Sequence, residues 1–224
     1  MLETSDFFHQ ATLRICGSLN IEESLQESLS FLQKYIPADE IFLNVYNPSA
    51  GNLRVLAHAT PERSKIINRI FPLPNEVRSL VGLNCSKNKI PKYKVLITNN
   101  PQEHIVANFL CCSMKIVNAS LLSMFLFIDS SRMGVVDVVA KGYNRFHIEH
   151  SYIFSSLQRP FAVAVSNALK NQDIIDIKKC ITYENSDSFK KHGKDTSQSI
   201  IGVNTGLQQV MRNVHQVAPK DSTV

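Results

Sequence analysis

ASLLSMFLFI, residues Ala119–Ile128, and GVVDVVA, residues Gly134–Ala140, are two strongly apolar runs separated by Asp129-Ser-Ser-Arg-Met133. Runs of this kind on either side of a polar segment read as two antiparallel strands joined by a somewhat long turn. Asp137 interrupts a row of valines that otherwise suggests burial. Because strand side chains alternate, Val136 and Val138 fall on the face opposite Asp137. That second face reads as turned towards water or an interface, with a pocket carboxylate as the alternative.

Downstream, Tyr152, Ile153, Leu157, Phe161, Val165, Ala168 and Leu169 recur at helical spacing, which predicts one long helix from Ile148 to about Ile177. Pro160 lies inside it and should kink it, at a cost of about 3 kcal/mol if uncompensated. Upstream, Phe7, Phe8, Ala11, Leu13, Ile15 and Leu19, then Leu25, Leu29, Leu32 and Ile36, predict a helical pair divided near Gly17–Asn20. Asn20, with Glu22 and Glu23 just inside, is a plausible start for the second helix, and Pro37 its end. Glu40–Tyr46 and Leu53–Ala59 read as a hairpin across a loop rich in turn formers. Residues 60–118 are less regular. They hold a short Ile70–Phe71 strand, a short helix at Glu76–Val81, a strand at Val95–Thr98 and a helix from about Gln102 to Ile116. A helix pair, antiparallel hairpins and a closing helix give an α+β fold. Its antiparallel sheet has about five or six strands, with helices on one face and cross-connections over the other.

Composition bounds function. With 224 residues and 44% hydrophobic side chains the chain can bury a core. Lys and Arg number 24 against 19 for Asp and Glu, and much of the surplus sits in the C-terminal tail, so no nucleic-acid-binding face is expected. Lys87, Lys89, Lys92 and Lys94 read as a solvated loop around Pro91. No apolar stretch is long enough to span a membrane and MLETSD lacks the basic flank of a signal peptide, so the cytoplasm is the expected compartment. Cys16, Cys85, Cys111, Cys112 and Cys180 form an odd set without C-x-x-C spacing, which predicts reduced thiols rather than a disulfide framework or zinc knuckle.

The C-terminal residues Ser199–Val224, SIIGVNTGLQQVMRNVHQVAPKDSTV, resemble the opening of the AAA+ ATPase domain of sigma-54-dependent bacterial transcription activators. The resemblance implies that the sequence stops before the Gly-rich phosphate loop that would hold ATP and Mg. The run Phe146-His-Ile-Glu-His150 through Gln158-Arg-Pro-Phe-Ala-Val-Ala-Val-Ser-Asn-Ala-Leu169 resembles the end of a GAF domain of the version preceding such ATPases. The hairpin Ser120–Ala140 is similar to that fold's last two strands. The implied organisation is a GAF-like sensor at 1–177, a linker at 178–198 and an incomplete ATPase domain at 199–224. Lys178–Gln198, charged and poor in apolar residues, fits a solvated linker. A dimerising helix could start in Ser166–Ile181, but Tyr183–Ser188 offers no heptad continuation.

A GAF domain in this position implies a small-molecule effector bound between the sheet and the cross-connections. The candidates are Phe71 as an aromatic wall, Arg78 as a bidentate anion partner, and His104, Asn108 and Cys112 on the helix predicted from Gln102. On that helix His104, Asn108, Cys111 and Cys112 share a face. Imidazole and thiolates there suit a soft metal such as non-haem iron. Core packing is the preferred reading of adjacent cysteines among Val106, Phe109, Leu110 and Met114, contact of His104 or Asn108 with an organic ligand comes next, and no metal site is assigned. No further carboxylate or imidazole completes a metal set. Arg78 also reads as a surface arginine, and His58 as a satisfied surface or core histidine.

Three function classes follow. The first is a regulatory binding module whose ligand alters how the closing helix is held. Homodimerisation is expected with it, and sigma-54 RNA polymerase and DNA are reached only through domains outside this sequence. The second is a GAF-type thiol enzyme reducing free methionine sulfoxide, for which Cys85, Cys111 and Cys112 are the candidate thiols. The third is a purely dimerising structural domain. Without a phosphate loop the purified chain should hydrolyse no ATP; phosphate release above a protein-free blank would refute that expectation.

Overall fold

The computed structural model describes residues 4–47, 49–83, 94–128, 131–171 and 174. The chain divides into two compact units, residues 1–171 and 172–224, and the first holds every element below. The linker, the ATPase-like tail, Cys85, Cys180, Lys87, Lys89 and Lys92 lie outside the described residues.

The two apolar runs pair as expected. β5 (Ala119–Ile128) runs antiparallel to β6 (Ser131–Lys141), from Ala119 opposite Lys141 to Ile128 opposite Ser131. β6 begins before Gly134 because the register shifts between Leu126 and Phe127, and the strand absorbs residues expected in the turn. β1 (Glu40–Asn47), β2 (Asn52–Ala59), β3 (Ser64–Pro72) and β4 (Val95–Thr98) complete a six-stranded antiparallel sheet in the order β3-β2-β1-β6-β5-β4. β3 is much longer than the Ile70–Phe71 strand expected from sequence. It is an edge strand with mostly exposed side chains, so it carries no apolar run to betray it.

Alternation sorts the sheet into two buried faces. Ile41, Leu43, Leu122, Met124, Leu126, Val136, Val138 and Ala140 point to one face. There they pack against α1 (Thr4–Cys16), α2 (Ile21–Leu32), α5 (Ile148–Ser155) and the helical residues 158–171, called α6. Phe42, Val55, Leu121 and Val139 point to the other face, under α4 (Ile105–Met114), with α3 (Asn75–Leu83) beside it. Leu56 is a bulge. Ala57 pairs with Leu43 and Val55 with Asn44, so β2 turns Val55 to one face and both Ala57 and Ala59 to the other. Gly134 permits close approach of β1, since a Cβ there would lie 2.6 Å from the Asn44 carbonyl oxygen.

Three helix details differ from the sequence reading. Asn20 makes no side-chain cap. Instead Ser18 Oγ accepts the Asn20 N–H at 3.0 Å, and both Ser18 and Asn20 side chains donate to Glu23. The helix predicted from Gln102 is interrupted at His104. Pro101–Glu103 form a 3₁₀ turn, and His104 takes extended backbone as the N-cap of α4, its Nδ1 accepting the Ala107 N–H. At the other end Lys115, at φ 59°, closes α4 before Ile116. The closing helix does not kink at Pro160; it breaks one turn earlier, into α5 and α6 at residues 156–157. The proline ring would strike the carbonyl four residues back, that of Ser156. With the break there, Pro160 falls in the first turn of α6, where no donor is required of it. Phe154 and Phe161 then meet edge-to-face across the break, both essentially fully buried.

α5 opens with two histidines capping each other: the His147 side chain accepts from the His150 backbone and His150 Nδ1 accepts the His147 N–H at 3.1 Å. Burial, then the neighbouring His147, holds the His150 imidazole below its ordinary value, with Glu149 opposing weakly. A depressed histidine favours the neutral form in the folded state. Its stabilisation is complete above the unfolded pKa of about 6.5 and is lost as pH falls through the lower folded value. Urea midpoints should therefore decline on acidification from about pH 7.5 to about pH 5. His150→Gln, which retains an acceptor but cannot titrate, should decline less; parallel profiles would contradict the assignment.

Candidate functional site

On the face covered by α3 and α4 the packing is incomplete, and a cavity of about 110 Å³ remains. Leu121 and Phe125 of β5, Val135 of β6, Leu96 of β4 and Leu53 of β2 form its sheet side. Leu73, Val77 and Val81 wall it from the α3 side, and Val106, Ala107, Phe109 and Leu110 from α4. His104 and Thr98 border it on a third side. A cleft lined by Thr98, Asn99, Asn100, Glu103, His104, Tyr143 and Asn144 shares Thr98 and His104 with the cavity.

The polar floor comes from three neighbouring strands. Ser123 of β5 stands opposite Asp137 of β6, and Asn44 of β1 reaches the same carboxylate. Asn44 Nδ2 donates to Asp137 Oδ2 at 2.6 Å, and Ser123 Oγ donates to Asp137 Oδ1. Asp137 is only 4% exposed and Asn44 1%. The Asn44 amide lies with its nitrogen towards Asp137, the orientation that suits a carboxylate acceptor. Asn44 Oδ1 is left buried, with no hydrogen-bond partner among the described residues. Asp137 is thus a pocket carboxylate, and its face is covered rather than turned to water. The alternation of GVVDVVA located the face; nothing in it told that α3 and α4 cover it. Asn44 and Ser123 carried no sequence signal beyond being polar residues inside apolar strands.

The residues singled out from sequence are dispersed. His104 lies on the cavity. Asn108 and Cys112 are exposed on the outer side of α4, the Cys112 thiol donating to Asn108 Oδ1 at 3.6 Å. Cys111 is buried against the sheet, so His104, Cys111 and Cys112 do not share the face that an unbroken helix would give them. Arg78 is exposed, its guanidinium packed over the turn at Gly51, where φ is +61° and a Cβ would meet it at 2.5 Å. Phe71 sits on the edge strand under the Arg69 guanidinium, 5.0 Å from the ring centroid, and packs against the cluster under α4 without entering the cavity lining. His58 is satisfied, with Nε2 2.7 Å from Glu40 Oε2 and its ring stacked on Phe42. Among the described residues no three His, Cys, Asp or Glu side chains converge as a metal set, and no helix is long and apolar enough to cross a membrane.

A chain of polar contacts leads from the cavity to the closing helices. Asn99, next to Thr98, clamps Phe146 on both sides: Nδ2 donates to the Phe146 carbonyl at 2.8 Å and Oδ1 accepts the Phe146 N–H at 3.0 Å. Ser120 Oγ contacts the Asn99 and Gly142 carbonyls and accepts the Arg145 N–H. The Phe146 ring is buried in the core with Phe154 and Phe161.

No known family's sequence profile matches this chain, and no curated protein matches it significantly in sequence. Solved structures do match in fold. The free methionine-R-sulfoxide reductase from Neisseria meningitidis, in complex with its substrate, aligns with TM-score 0.52 and 12% identity over 75% of this chain and 91% of that one. The GAF domain of a phosphoenolpyruvate-protein phosphotransferase from Coxiella burnetii gives 0.53 and 13%, over 77% and 98%. A phycocyanobilin-bound GAF domain from a cyanobacterial phytochrome gives 0.51 and 16%, over 75% and 96%. At these identities the likeness shows the fold, and the fold is that of GAF domains.

The two cysteines of α4 differ in environment. Burial, then the Asp137 and Cys112 charges, pushes the Cys111 thiol up to about 12, whereas Cys112 is exposed. Iodoacetamide at about pH 8 should alkylate Cys112 at least about tenfold faster than Cys111, because only thiolate reacts. Peptide mapping of native protein checks this, and equal labelling would contradict the burial.

Proposed function

We propose that this domain is a regulatory module that binds a small molecule in the cavity between the sheet and α3–α4. The observation that carries the reading is the Asn44–Asp137–Ser123 cluster on the floor of a mostly apolar cavity. A carboxylate taken out of water is costly unless hydrogen-bonded, and a sheet needing only a packed core would be better served by another valine. Apolar walls around a few convergent polar groups are what ligand sites are made of.

Occupancy can reach the closing helices through Asn99. A ligand that presses on Thr98 or His104 acts on the segment whose next polar side chain holds Phe146, at the entrance to α5. To switch anything, the ligand must favour one arrangement of α5 and α6 over another, since equal affinity for both shifts nothing. The resemblance of Ser199–Val224 to the start of a sigma-54 activator ATPase supplies the downstream receiver. The signal would there restrain or release an ATP-dependent motor. Cytoplasmic location and homodimerisation belong to the same proposal.

A binding role fits Cys111 and Cys112, the two candidate thiols among the described residues, better than a reductase role. Cys111, the cysteine beside the pocket face, has its thiol pushed up rather than down, and Cys112 points outward, so neither is a poised nucleophile there. We read the chain as a binder without turnover.

The test fills the cavity. Val135→Phe places a ring in the empty space. A thermal-shift screen of one- and two-ring compounds should raise the wild-type midpoint with hits whose effect the folded variant loses, as mass action requires. Hits that shift both proteins equally, or no hit together with nothing co-purifying by native mass spectrometry, would overturn the reading.

A further inference from the structure

The cavity also indicates what kind of molecule it takes. This rests on the binding reading above and deepens it. Its volume, about 110 Å³, is below the roughly 150 Å³ of an engineered apolar cavity that admits benzene. The enclosed part of a ligand is therefore no larger than about one ring. Val77, Val106, Phe109, Leu121 and Phe125 surround that space with carbon, so the skeleton must be mostly apolar.

The polar requirement comes from Asn44. Its amide nitrogen is committed to Asp137, and its Oδ1 is shut off from solvent without a partner among the described residues. The residue itself lines the cavity. A buried carbonyl oxygen without a hydrogen bond is costly, and the group that repairs it must be a donor. The Asp137 carboxylate braces the amide from behind, and Ser123 braces the carboxylate, so the acceptor is held in place before any ligand arrives. Donor-free isosteres of the ligand would leave Oδ1 unpaired, which is how sites of this kind discriminate.

We infer that the pocket recognises a compact, mostly apolar molecule, its enclosed part no larger than about one ring, that carries an N–H or O–H donor, and that Asn44 Oδ1 is the acceptor that selects it.

Aniline and toluene have nearly the same shape and differ in an amino against a methyl group, which makes them suitable probes. Titrated into the full 224-residue chain and followed by amide chemical shifts, aniline should bind about tenfold more tightly than toluene, with shifts at cavity residues. Asn44→Leu should abolish that preference, and in the wild type the Asn44 side-chain amide resonances should move with aniline far more than with toluene. Should Asn44→Leu fail to fold, those wild-type side-chain shifts decide, and equal movement with both probes would overturn the role of Asn44. Equal affinity of both probes at cavity residues would overturn the donor requirement and leave the binding reading standing. A preference that persists in folded Asn44→Leu would overturn the role of Asn44. Shifts for neither probe, in wild type and Val135→Phe alike, would overturn both this inference and the reading beneath it.

Discussion

A six-stranded sheet must hide two apolar faces, and this chain covers them unequally. Four helices bury one face in a continuous core, whereas among the described residues α3 and α4 cover the other. Both are short, and α4 is held back at its start by the His104 cap and at its end by Lys115. Among the described residues, these two short helices leave part of the area over β1, β5 and β6 unfilled, and that remainder is the cavity. Architecture and site thus share one cause.

Within that remainder Asp137 organises the polar groups. A carboxylate with almost no solvent must be satisfied by its neighbours, and the register of three strands provides them: Ser123 directly across from it and Asn44 diagonally. The arrangement orders the Asn44 amide and leaves its oxygen without a partner among the described residues, and its charge adds to the burial that chiefly pushes the Cys111 thiol up. One buried charge therefore bears on ligand chemistry and on the inertness of a cysteine at once.

The closing helices answer a different constraint. Pro160 cannot sit within a continuous helix, so the chain breaks at residues 156–157 and the two halves pack by way of Phe154 and Phe161. The entrance to α5 is tied to the cavity rim by the two-sided Asn99 clamp on Phe146. Two rigid segments that meet at a break and are fastened at one end to a binding site are suited to take up alternative arrangements, which a single straight rod is not.

The sequence by itself determined the strands that bury both faces, the helix pair and the existence of a closing helix. Each has a period that its own residues spell out: Ala119–Ile128 and Val95–Thr98 end where expected, and Val136 and Val138 part from Asp137 by alternation alone. Edge strand β3 stayed hidden because exposed strands have no apolar pattern to reveal. The break before Pro160 was misplaced because a proline's clash acts on the preceding turn. The site was hardly legible. Of the five residues chosen as ligand contacts, only His104 borders the cavity, since which face α4 turns to the sheet depends on where His104 starts it. Asn44, Ser123 and Asp137 lie far apart along the chain, and only strand order and register brought them together; a local pattern cannot encode a contact between distant strands.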